Sequence, residues 1–290
     1  MYKRKLYPSY LVLPILIIYT VAFIIPIFSG IYLSFTNWSL LGKTVKWVGL
    51  ANYEQIFVTD RSMVPIILNT ILFASVTTFL ANVVGLALAL LLNSGVKGQT
   101  VLRSIFYFPN ILPALIVGMV FSSILDPVGF LNNLLSVIGL KSLTHAWLAD
   151  PNFALLSVMF VEIWKSSGFC MIVYLAGLQT IPSDCLEAAD IDGASGFKKL
   201  FNVILPLLVP SISTNFVFNF IVKLKTFDLV YVLTGGGPGK ITQMAKTIVL
   251  YEYSSGRYGI ANAMESIMFV VTGVIAYILL KFFQKKEVQL

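Results

Sequence analysis

The sequence predicts an all-α, polytopic membrane protein with six transmembrane helices. Three observations lead there. Hydrophobic residues make up 58% of the chain and charged residues 11%, whereas about a quarter of a soluble domain is charged. Six apolar runs are each long enough to supply the roughly 20 residues that cross about 30 Å of hydrocarbon. The connections between them sort by charge, as the preference of basic loops for the cytoplasm requires. The net charge of +7 is therefore read by location. Nucleic acid is not implied as a partner, because no basic stripe lies on a soluble element.

The runs fall at about 10–34, 66–92, 104–125, 154–178, 206–233 and 262–284. The first follows MYKRK and reaches Phe35 without a small-residue cleavage site, so it reads as an uncleaved span rather than a secretory signal. An outer loop at 35–65 carries Trp38, Trp47 and Tyr53, the residue types that anchor at membrane interfaces. Pro109 and Pro113 interrupt the third run and free main-chain groups that neighbouring helices must satisfy. Between the third and fourth runs, FLNNLLSVIGL is too short to span and reads as a helix on the outer surface. Lys3, Arg4 and Lys5, Lys97 and Arg103, Lys198 and Lys199, and Lys281, Lys285 and Lys286 all fall on one side. The positive-inside rule makes that side the cytoplasm and puts both termini there. The opposite loops carry Lys43, Lys46, Arg61, Lys141, Lys240, Lys246 and Arg257, but they are longer and weigh less. The expected organisation is a first helix and outer loop over 1–65, a membrane core over 66–284 with a polar connection at 179–206, and a cytoplasmic tail at 285–290.

That polar connection runs into Glu187–Pro210, EAADIDGASGFKKLFNVILPLLVP. Ser183 can cap a short helix bearing Asp184, Glu187 and Asp190, whose charges suit the helix dipole. Gly193 permits a tight turn. Phe197, Leu200 and Phe201 then recur at i, i+3, i+4, a face able to pack beneath a membrane domain. Glu187-Ala188-Ala189, Gly193 and Val203-Ile204-Leu205-Pro206 resemble the cytoplasmic coupling loop of binding-protein-dependent ABC importers, with valine where isoleucine is usual. The resemblance implies the type I importer permease fold. It also implies that Glu187, Ala188, Ala189, Asp192 and Gly193 engage a separate ATPase subunit.

Thr234–Lys240, TGGGPGK, is not a phosphate-cradling loop. Ile241 replaces the required Ser/Thr, and the string follows an apolar run instead of joining strand to helix. It reads as a turn, and it resembles the oligosaccharide-uptake branch of these permeases. Cys170 and Cys185 have no metal spacing and are not expected to pair. His145 lacks partners for metal or acid–base chemistry.

Glu162, Lys165, Lys223, Lys225 and Asp228 are ionisable residues inside apolar runs. Each costs about 2.5–3.5 kcal/mol at the bilayer centre by insertion scales, so none should face lipid. Glu162 with Lys165, and Lys225 with Asp228, are three apart and could pair on one helix face. Lys223 shares a stripe with Asn219 and Thr226 at i, i+4, i+7, which either glues helices or lines a passage. Alignment on the coupling motif with maltose-permease-like members places their sugar contacts at Ser166 and Phe169, and at Asn219, Val222, Lys223 and Thr226. Lys223 and Thr226 stand where the maltose permease has asparagine, so maltose itself is not implied.

The resemblance thus implies a non-enzymatic permease for a carbohydrate, an oligosaccharide, in the plasma membrane of a bacterium or archaeon. It implies a second homologous permease, two ABC ATPase subunits that carry ATP and Mg, and an extracytoplasmic solute-binding protein. This chain itself needs no cofactor. An anionic solute such as glycerol phosphate or a uronate oligosaccharide is the alternative suggested by Lys223. An ion-coupled carrier using Glu162 and Lys165 is a further one, weakened by the absence of an internal repeat.

Overall fold

The computed structural model describes residues 12–42 and 44–286. Lys3, Arg4, Lys5 and Lys43, used above to assign sides, and residues 287–290 of the tail lie outside the described residues. The helices, in chain order, are α1 Leu13–Leu33, α2 Met63–Asn93, α3 Gln99–Ile111, α4 Ala114–Ile124, α5 Phe130–Val137 and α6 Ala154–Gln179. They continue with α7 Ser183–Ile191, α8 Gly196–Leu207, α9 Val209–Leu224, α10 Asp228–Thr234, α11 Ala245–Ser254 and α12 Tyr258–Gln284. Among the described residues there is no strand, only an isolated antiparallel bridge between Thr36 and Trp47.

Four helices, α1, α2, α6 and α12, are long and apolar enough to cross a membrane. Two bent pairs bring the number to six when each counts as one span: α3 with α4, bent by 95°, and α8 with α9, bent by 70°. The first bend has a local cause. Leu112 is extended, at φ −66 and ψ 135, because the ring of Pro113 disfavours helical geometry in the residue before it. The second bend sits at Leu208, between Pro206 and Pro210, both of which lack the N–H that would continue the helical ladder.

The fifth run differs most from its expected span of 206–233. Its helix stops at Leu224, Lys225 and Phe227 leave helical geometry, and α10 restarts at Asp228. Lys225 and Asp228 therefore do not share a helix face, and no ion pair joins them.

The chain falls into two compact units, 1–64 with 248–270, and 65–247 with 271–290. In the first, Asn52 is buried and its amide donates to the carbonyls of Ser34 (2.7 Å) and Thr36 (2.8 Å), so its side chain substitutes for a missing strand partner. Gly259 lies so close to Thr36 O that a Cβ would approach to 2.2 Å. Of the expected interfacial aromatics only Trp47 is exposed, at 60%. Tyr53 bonds Ser34 (2.7 Å) and Trp38 packs on Tyr258 with centroids 4.6 Å apart, so both serve packing.

In the second unit, two apolar clusters form the interior. One gathers Phe73, Val117, Val158, Leu229 and Met244; the other gathers Ala81, Leu92, Met171, Tyr174 and Leu208. α2 also carries buried polar residues at helical spacing, Thr70, Thr77, Thr78 and Asn82. Such groups join helices inside a membrane by hydrogen bonds. Thr70 Oγ1 accepts from Ala245 N (2.9 Å), and Tyr174 Oη donates to Asn82 Oδ1 (2.6 Å). α5 occupies the expected outer-helix segment, held by Asn132 bonds to Pro127 O and His145 O.

Candidate functional site

A cavity of about 310 Å³ opens in the second unit where α3, α6 and α9 meet. α6 contributes Glu162, Lys165, Ser166 and Phe169; α9 contributes Phe218, Asn219, Val222 and Lys223; α3 contributes Tyr107 and Asn110. The spacing on α6 is i, i+3, i+4, i+7 and on α9 i, i+1, i+4, i+5, so each helix offers one face to the cavity. Gly168 lets α3 come near: a Cβ there would stand 2.1 Å from Phe106 O. The same contact places Tyr107 and Asn110 opposite the α6 residues.

Five of the six aligned contact positions, Ser166, Phe169, Asn219, Val222 and Lys223, thus share one cavity. Thr226 does not line it. It follows the end of α9, where its N–H reaches Lys223 O (3.2 Å), so the i+7 member of the stripe is lost with the helix. Asn110, Tyr107 and Phe218 were not singled out in the sequence. Asn110 lies beside Pro109 in an apolar run, and a polar amide at such a site is a signal that could have found it.

The polar groups are placed with care. Lys223 is 1% exposed, and its Nζ donates to the main-chain carbonyl of Thr77 on α2 at 3.0 Å. Asn219 Nδ2 donates to Asn215 O (2.9 Å) and contacts Cys170 Sγ (3.4 Å). Ser166 Oγ donates to Glu162 O (2.7 Å), a helical back-bond. Glu162 is 8% exposed. No direct ion pair between its carboxyl group and Lys165 is found among the described residues, and both residues line the cavity. Phe169 and Phe218 pack at 5.0 Å between ring centroids, forming an aromatic wall. Cys170 and Cys185 are both free thiols.

The second candidate region is the polar connection. α7 starts at Ser183, with Pro182 as its cap; Ser183 makes no cap bond, and its hydroxyl contacts Asp184 Oδ1 (3.3 Å). Proline at that position leaves Ser183 inside the first turn, which corrects the expected cap. Gly193 adopts φ +72, where a side chain is strained, and turns the chain. Lys199 Nζ then bonds both carboxylate oxygens of Asp190, at 2.7 and 2.8 Å, tying α8 to α7. Glu187, Ala188, Asp192 and Gly193 are exposed, while Ala189 is buried. Phe197 and Phe201 do not pack beneath the rest of the unit as expected: they are 80% and 61% exposed. The glycine-rich segment after α10 is a turn, with Gly235, Gly236 and Gly239 at positive φ and Thr242 closing it on Gly237 O (2.6 Å).

Comparison with known proteins gives this arrangement a family. The chain matches the model described as "binding-protein-dependent transport system inner membrane component" over residues 81–288. It is 36% identical to the multiple sugar-binding transport system permease protein MsmF of Streptococcus mutans, over 97% of this chain and 96% of that one. It is 34% identical to the trehalose/maltose transport system permease protein MalF of Thermococcus litoralis, covering 90% of this chain and 88% of the relative. Its fold matches a chain of a bacterial ABC transporter involved in the import of the acidic polysaccharide alginate, with a TM-score of 0.83 at 24% identity over 95% and 94% of the two chains. With the fold, the bent spans and a family match over most of its length, this chain belongs to the integral-membrane permease subunits of binding-protein-dependent ABC importers.

Proposed function

We propose that this chain forms half of the translocation path of an ATP-driven carbohydrate importer and takes its driving force from a separate ATPase through the Glu187–Gly193 loop. The observation that carries the substrate class is the cavity between α6 and α9. It combines an aromatic wall, Phe169 with Phe218, and hydrogen-bonding groups on Ser166, Asn219, Lys223 and Glu162. Aromatic faces meet the apolar side of a sugar ring, and polar groups meet its rim. The names of the Streptococcus and Thermococcus relatives, both sugar permeases, support the same class.

Mechanism follows from the chain's own residues. Closure of an ATPase pair draws two such loops together, and the motion passes from α7 and α8 into α9, which carries Asn219 and Lys223. The cavity then faces outward, receives solute from a binding protein, and returns to the cytoplasm when ATP is spent. A second, homologous permease supplies the other wall. ATP and Mg reside on the two ATPase subunits, and no residue of this chain is assigned a role in hydrolysis. Both termini lie in the cytoplasm, on the side of the coupling loop. Glu187, exposed on α7, is assigned to the ATPase contact.

In reconstituted transporter, Glu187→Lys should leave the permease pair able to assemble while ATP hydrolysis no longer drives uptake. Uptake that survives this change intact refutes the role given to the loop. A second reading has its own support: Lys165 and Lys223 outnumber Glu162 in the cavity, which would suit an anionic solute. Lys223→Asn separates the two. A neutral-sugar importer retains substantial transport, because the amide still donates, whereas an importer of anions loses it.

A further inference from the structure

The short helix α5 and its C-cap, Ile138, carry apolar side chains on a side turned away from the protein. A surface helix packed on a core does the reverse, with apolar residues inward and polar residues out. At about 100° per residue, the side chains from Phe130 to Ile138 sort into three sectors. Phe130, Leu134, Val137 and Ile138 form an exposed apolar sector, in which Val137 is 84% exposed. Asn133 and Ser136 form an exposed polar sector. Leu131, Asn132 and Leu135 form the third, which is buried or half-buried. Leu131 packs on the cluster that holds Val117 and Val158. The Asn132 amide donates to Pro127 O (3.0 Å) and His145 O (2.8 Å), and its Oδ1 accepts from Trp147 Nε1 (2.8 Å). These inward contacts hold the helix in place and leave the apolar sector bare.

A helix with three such faces fits a place where protein, water and hydrocarbon meet. We propose that α5 lies along the membrane surface, with Phe130, Leu134, Val137 and Ile138 sunk about 5–10 Å into the boundary between lipid headgroups and acyl chains. Chain order puts it at such a boundary. It follows α4, packs against it and precedes α6, so it sits where one apolar helix leaves the membrane and the next enters. Those helices expose apolar residues of their own, Met119 and Val120 on α4, Leu156 and Phe160 on α6. The bare sector of α5 continues that lipid-facing surface. Its chemistry favours lipid over a protein partner. From Val128 to Leu140 the chain has no charged residue, and the exposed sector is mainly aliphatic. Protein-binding patches draw on Trp, Tyr and Arg and under-use Leu and Val. Because α6 runs at its other end into α7, the lipid contact anchors the end of α6 remote from the α7–α8 hairpin.

The test uses the complete transporter in nanodiscs of phosphatidylethanolamine and phosphatidylglycerol, with and without its binding protein. In a chain whose Cys170 and Cys185 are replaced by alanine, Val137→Cys and Ser136→Cys each receive a bimane fluorophore. The signal of the parent complex without the added cysteine is subtracted. Phospholipid bearing a nitroxide near the headgroup end of its acyl chain should quench the label at 137 several-fold more strongly than the label at 136. Iodide in the water should show the opposite order, and the binding protein should change neither. Co-purification of the subunits checks assembly, and Ile138→Cys, on the same sector, replaces Val137→Cys if the latter does not assemble. Equal quenching by lipid at the two positions would overturn the proposal, as would iodide reaching 137 as freely as 136. A label at 137 that is open to iodide and becomes shielded only when the binding protein is added would make this face a protein-docking site and refute the lipid contact.

Discussion

Gly168 shows how a single missing side chain sets the cavity's shape. A Cβ at this position would stand 2.1 Å from Phe106 O and 2.9 Å from Tyr107 Cα, both main-chain atoms of α3 that cannot rotate aside. Gly168→Ala should therefore push α3 from α6, at a cost of about 1–3 kcal/mol for overpacking. The measurable results are a lower unfolding temperature for the purified complex and a weaker response to solute, because Tyr107 and Asn110 ride on the displaced helix. An unchanged unfolding temperature would contradict this. Residue-level reading of the sequence was uneven for physical reasons. Asn219 and Lys223 share a face because helical spacing is local, and that spacing is visible in any apolar run. Thr226 failed because Lys223-Leu224-Lys225-Thr226-Phe227 carries no glycine or proline to announce the end of α9. Glu162 and Lys165 lie three apart on one helix and both line the cavity, a tertiary feature that helical spacing does not reveal.

At the level of elements, proline explains most of what the apolar runs left open. Lengths and order of α1, α2, α6 and α12 follow from hydropathy, which counts residues and ignores direction. The 95° and 70° bends depend on Pro113 in one case and on Pro206 with Pro210 in the other, and only the consequence of Pro109 and Pro113 was anticipated. The α7–α8 hairpin is the clearest element with an unfilled face. Ile191, Phe197 and Phe201 are exposed at 87%, 80% and 61%, while the Asp190–Lys199 pair ties the two helices together. Apolar groups exposed in company mark a contact surface. Under the coupling reading, that surface receives the ATPase. Phe197→Cys, in a chain whose Cys170 and Cys185 are replaced by alanine, should react with a polar maleimide several-fold more slowly once the ATPase subunits are added. An equal labelling rate with and without them would remove the assignment.

Composition and charge bias establish a helical membrane protein, since solvent preference is summed over the chain and tolerates local error. The motif around Glu187 points to the family, and the match over residues 81–288 agrees with it. What the sequence could not carry is convergence: α3, α6 and α9 supply the cavity from residues as far apart as Tyr107 and Lys223, and no spacing rule joins them. The bend at Leu208 has a mechanical consequence. From Val209 to Lys223 the helix runs about 21 Å at 1.5 Å per residue, the length a lever arm would have if it pivoted on the buried Leu208. A tilt of about 5° at that pivot displaces Lys223 by about 2 Å over such a length. Such a displacement is enough to break a 3.0 Å bond to Thr77 O, so under the coupling reading a small stroke at the hairpin would be amplified into release of the Lys223 ammonium.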